Sequence, residues 1–150
     1  MSDASFFMKL ATTTIGMAVF LAAQSHAVPT IAKGYYEDAA GRFCTSGTSC
    51  TILFSPVPAG NTFIASNLSC SISIFSTSAV SVTQLVLSGN TKSTQLGDHK
   101  PFLSGGKTIV TFNEELLKIF SGDQRPAVTI TLALPNSMTM SCNIVGKISL

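Results

Sequence analysis

The chain has 150 residues, 11% of them charged, and a formal net charge of +2. The length suits one domain, and the charge is well below the roughly 25% of an average soluble domain. Nine basic residues with no basic run among them exclude a nucleic-acid footprint and a polybasic membrane patch; Ser and Thr do the solvating.

The first segment reads as a targeting sequence. Lys9 gives a positive n-region, and Leu10 to Ala23 give an apolar stretch close to the roughly 7–15 residues of a secretory core. Ser25 and Ala27 put small residues where a signal peptidase needs them. Residues 1–27 are therefore expected to be a signal peptide, with the mature chain starting at Val28. A membrane anchor needs about 20 apolar residues, and this run ends sooner, in Gln24, Ser25 and His26. No anchor is expected after cleavage. The first cysteine is Cys44, too far on for a lipid anchor. Asp3 is foreign to an n-region, so translation is expected to begin at Met8.

Residues 28–43 show no clean period and read as an extended N-terminal arm ahead of a β domain over 44–150. Cys44 and Cys50 bracket a turn-rich loop, and Thr51 to Ser55 read as a strand. Pro56 to Asn61 are a turn, because Pro fixes φ while Gly and Asn accept positive φ. In Asn67 to Ser76, Leu68, Cys70, Ile72 and Ile74 alternate with serines. That places one face in a core and the other in water. Phe63 and Ala65 are in the opposite phase, which predicts a bulge near Ser66–Asn67. Val80 and Val82 share one phase and Leu85 and Leu87 the other, which predicts a second bulge at Gln84.

Ser88 to Lys100 read as a polar loop, Ser104 to Lys107 as a hairpin turn, and Thr108 to Phe112 as a strand. Residues 113–120 are open between a helical turn capped by Asn113 and a strand. Val128, Ile130, Leu132 and Leu134 alternate in one strand. A turn at Pro135 to Ser137 leads to another through Met138, Met140, Cys142 and Ile144. The pattern predicts an all-β, antiparallel β-sandwich, jelly-roll or Ig-like, in a single domain after the signal peptide.

The four cysteines, Cys44, Cys50, Cys70 and Cys142, are an even set in an exported chain and read as two disulfides. Three pairings are open. Cys44 with Cys50 would close a small loop, and Cys70 with Cys142 would join distant strands. No Cys-x-x-Cys occurs and no His lies beside a cysteine, so neither a metal site nor redox chemistry is expected.

With Val57 to Cys70, "VPAGNTFIASNLSC", and the terminal "CNIVGKISL", the chain resembles small exported bacterial β-sandwich proteins of unassigned function. They share a Val-Pro-Ala-Gly turn and a closing cysteine–glycine strand. The resemblance implies a β-sandwich and implies no activity. A pilin reading fits less well: the arm alternates poorly and the penultimate residue is Ser149.

Motifs for catalysis are sparse. His99 is the single histidine of the mature chain and Asp98 precedes it, but neighbours in a strand point apart, whereas a triad needs its Asp to orient the ring. His99 is expected in a solvated loop. Glu114 and Glu115 are expected in a solvated turn, because hydrolytic carboxylate pairs face each other across a cleft. The other acids, Glu37, Asp38 and Asp123, are isolated in sequence, and nothing forms a calcium loop. The Asn67-Leu68-Ser69 sequon falls within a strand. There is no Trp and there are two Tyr, a poor stock for stacking sugars. Phe75 lies on the serine face and is expected to return to the core through a bulge, the alternative being that it covers a loop or joins a contact patch with a partner. The sequence thus predicts no catalytic residue, cofactor or metal. It predicts a periplasmic or secreted binding or structural protein whose partner is a protein or a glycan. The alternatives are a subunit of a surface assembly and a small hydrolase using Asp98 and His99.

Overall fold

The computed structural model describes residues 24–76, 78–89, 92–97 and 99–149. Most of the expected signal peptide, and with it the choice between Met1 and Met8, lies outside them, as does Asp98. The described residues form nine strands and no helix: β1 Gln24–His26, β2 Thr30–Ala32, β3 Tyr35–Leu53, β4 Thr62–Ile74, β5 Val82–Ser88, β6 Ser93–Gln95, β7 Phe102–Ser104, β8 Lys107–Ser121 and β9 Ala127–Ser149. Every pairing is antiparallel. The order is β1-β3-β9-β4-β8-β7, with β2 on β3, β5 on β9 and β6 on β5.

Strands β3 and β9 run together over most of their length, but β9 changes its second partner midway. Residues 127–132 pair with β5, while residues 138–149 pair with β4. The break falls around Pro135, which has no N–H for a ladder. It matches register shifts in β3 between Cys44 and Gly47 and between Gly47 and Ser49. Leu134 sits at the break and is exposed rather than in the core.

Both predicted bulges are present, as register shifts between Ala65 and Asn67 in β4 and between Val82 and Gln84 in β5. The first lets Phe63 and Ala65 join Leu68, Cys70, Ile72 and Ile74 in one core. The core is a single cluster that includes residues of both halves of β9, from Val128 and Ile130 to Met140 and Ile144. Tyr36 packs on Phe63 with ring centroids 4.5 Å apart, and Phe63 stacks on Phe120 at 5.8 Å. These three rings tie β3, β4 and β8 together.

Several segments differ from the sequence reading. Tyr35 to Phe43 are not a free arm but the first half of β3, where Tyr36, Asp38 and Ala40 are buried. Their alternation is obscured because a carboxylate and an alanine occupy core positions. The polar stretch from Ser88 to Lys100 contains β6, which pairs with β5. Residues 113–120 are strand, with Glu114 opposite Leu68 and Lys118 opposite Ala65; pairing along β4 overrides the local helix signals. The turn at Ser104 to Lys107 is a two-residue hairpin, and Gly105 and Gly106 supply φ of 57° and 73°, as a turn of this hand requires.

The cysteines pair as Cys44–Cys50 and Cys70–Cys142, and none is free. Cys70 and Cys142 are direct register partners on β4 and β9 with Cα atoms 4.1 Å apart. That bridge joins neighbouring strands of one ladder and lies in the core.

Candidate functional site

The segment from β6 to β7 is drawn over the sheet by two backbone bonds. The Leu96 N–H donates to the Leu85 carbonyl at 2.9 Å, with the Leu96 side chain buried. The Gly97 N–H donates to Glu114 Oε1 at 2.7 Å. This brings His99 over β8, where its ring stacks on Phe112 with centroids 4.4 Å apart and planes 15° from parallel. His99 Nε2 lies 2.7 Å from Glu114 Oε1, although the approach is out of line for a hydrogen bond. His99 is thus half-buried and paired rather than solvated. Glu114 is a mid-strand residue directed at the loop, while Glu115 is exposed on the other face of β8. The two adjacent carboxylates do not form a pair.

Beside His99 is a cleft of about 190 Å³ lined by Gln84, Leu85, Gln95, Lys100 and Val110 among others. It is smaller than the roughly 300–1,000 Å³ of drug-sized ligand sites. An imidazole against a carboxylate can move a proton, but covalent hydrolysis also needs a nucleophile within about 3 Å of the base. The hydroxyl lining the cleft is that of Thr83, and it donates to the Thr131 carbonyl at 3.1 Å.

Lys118 is the neighbouring feature that sequence reasoning missed. Its ammonium donates to the Leu87 carbonyl at 3.0 Å, the Lys92 carbonyl at 3.1 Å and Thr94 Oγ1 at 2.9 Å. All three of its protons are used, and they fasten the β5–β6 hairpin to β8. Burial, and then the charge of Lys92, hold its pKa below the usual lysine range. The signal was available: Phe112, Glu114, Leu116, Lys118 and Phe120 share one strand face once residues 113–120 are strand.

Asp38, unlike the partly exposed Lys118, is a fully buried charge-bearing side chain. Its Oδ2 accepts the Ser55 N–H at 2.6 Å and the Tyr36 hydroxyl at 3.4 Å, while Oδ1 is buried without a partner. Glu37 accepts from Asn143 Nδ2 at 2.8 Å on the outer face, and Asp123 is in a turn with φ of 66°. Among the described residues, no three His, Cys, Asp or Glu side chains converge.

Phe75 does not return to the core. It is exposed, meets Phe43 edge-on at 6.1 Å, and has the Lys107 ammonium 4.7 Å above its ring. No protein-family model and no curated protein matches the chain.

Proposed function

We propose that this chain is an exported, non-catalytic β-sandwich protein, jelly-roll or Ig-like, with a binding or structural role in the periplasm or outside the cell. The sandwich reading is supported by β9, whose halves hold different partners around a single core. The observation that carries the functional reading is the pairing of all four cysteines in two disulfides, a state that persists in oxidising compartments. The leader-like residues ahead of Val28 agree with it. In a binding role the chain's partner is a protein or a glycan, met on a surface wider than the small cleft at His99.

The test is an intact mass of the exported protein, with and without reduction, after thiol alkylation. The expected species runs from Val28 to Leu150, is light by the four hydrogens of two disulfides, and takes up alkylating agent only after reduction. A full-length chain with reactive thiols would place it in a reducing compartment and overturn the proposal.

A further inference from the structure

The residues expected to leave with the signal peptide include part of the sheet. Strand β1 pairs Gln24 with Arg42, Ser25 with Gly41 and His26 with Ala40, and the Ala27 N–H donates to the Ala39 carbonyl at 3.1 Å. Gln24 Nε2 and Ser25 Oγ add bonds to the carbonyls of Leu53 and Gly41. Cleavage after Ala27 removes every one of these contacts. What remains, β2, covers only Tyr35 to Glu37. We propose that processing opens the β3 edge from Ala39 to Arg42, and that a second copy of this chain fills it by pairing β3 with β3 in antiparallel fashion. The proposal rests on cleavage after Ala27, as in the function proposed above.

The backbone supports this pairing in detail. Cys142 faces Cys70 with Cα atoms 4.1 Å apart, the spacing of a non-hydrogen-bonded pair. Cys142 therefore turns its N–H and C=O toward Ala40 on β3, and Ala40 toward Cys142. By alternation Ala39, Gly41 and Phe43 turn theirs outward, in agreement with the Ala27–Ala39 bond. After cleavage the groups of Ala39 and Gly41 lose their strand partners, and an open edge is a template for another strand.

Two of the usual edge protections, Pro and Lys, are missing from residues 39–43, and the Arg42 guanidinium turns back to the Thr51 carbonyl at 3.1 Å. A two-fold axis at Gly41 would set Gly41 against Gly41 and Phe43 against Ala39 of the second copy. Each large exposed ring then meets a small residue on the same face. Such self-complementary pairing is what a two-fold interface requires, and it restores the donors and acceptors that β1 satisfied. A heterologous peptide would satisfy the backbone equally, but the two-fold pairing matches Phe43 to Ala39 in both copies at once.

The test compares two exported forms, made by placing a foreign secretory leader ahead of Gln24 or ahead of Val28. Their N-terminal masses, and that of the natural product, are measured first. Light scattering after gel filtration then reads the oligomeric state over a range of chain concentrations. The Val28 form is expected to be a dimer and the Gln24 form a monomer. Phe43→Lys in the Val28 form is expected to restore the monomer with both disulfides intact, since Phe43 is already exposed. A monomeric Val28 form, or equal dimerisation of both forms, overturns the proposal. Natural cleavage at another bond would overturn the export reading at Val28 while leaving the comparison of the two forms decisive for the edge.

Discussion

Tyr36 and Asp38 put a phenol and a carboxyl into the core from one face of β3. Burial, then the charge of Asp38, then the hydrogen bond to it, push the phenol well above its usual range. The folded pKa is raised, so this group's contribution to stability is complete below the ordinary tyrosine value of about 10 and is lost as pH rises beyond it. The urea midpoint of the wild type is therefore expected to fall between about pH 9 and about pH 11. Tyr36→Phe should cost about 1 kcal/mol at neutral pH through the lost bond, yet show a shallower alkaline decline. An equally steep decline in the variant would place the loss elsewhere. Lys118 acts in the opposite sense, since a lowered lysine favours the folded state as pH rises toward the usual lysine range. Lys118→Met should free the β5–β6 hairpin at a cost of about 1–2 kcal/mol. Hydrogen exchange is the direct readout: the amides of β5 and β6 should exchange faster while those of β4 and β9 hold.

Gly146 shows how tightly the long strands are laid together. It lies between Tyr36 on β3 and Ala65 on β4, and a Cβ there would overlap the Ile64 carbonyl oxygen and crowd the Phe63 ring. Backbone atoms cannot give way as a flexible side chain can. Gly146→Ala is expected to destabilise by about 3 kcal/mol or more, seen as a lowered thermal midpoint or a lost yield of disulfide-bonded protein. At this scale the sequence was partly legible. The two bulges could be read because each reverses the phase of an otherwise regular apolar alternation, at Ala65–Leu68 and again at Val82–Leu85. The start of β3 could not, because Asp38 and Ala40 sit where a reader expects large apolar side chains. The His99 contact was hidden for a related reason. Glu114 reaches the loop only if residues 113–120 are strand, and Asn113 with its following acids imitates a helix start. Sequence could nominate His99, but not the β8 face that holds it.

For the molecule as a whole, the two disulfides constrain the unfolded chain very unequally. Cys44–Cys50 spans six residues within β3, whereas Cys70–Cys142 spans 72 and ties β4 to β9. The chain-entropy relation gives about 2 kcal/mol for the short loop and about 4 kcal/mol for the long one. Packing widens the gap a little, because Cys70 and Cys142 are both buried within the core cluster, whereas in the other pair Cys50 is buried but Cys44 is only partly covered. Replacing the pair Cys70→Ala and Cys142→Ala should therefore cost at least twice as much as Cys44→Ala with Cys50→Ala. Urea unfolding of the two double variants under non-reducing conditions measures the difference directly. Equal losses would mean that the unfolded chain already keeps β4 and β9 together without the bridge. The expected order has a further consequence for folding: until Cys70 meets Cys142, the central strands are held by burial and main-chain bonds alone. Refolding from the reduced state should accordingly recover stability in one main step, with formation of the Cys70–Cys142 bond, and the Cys44–Cys50 bond should add the smaller increment whichever forms first.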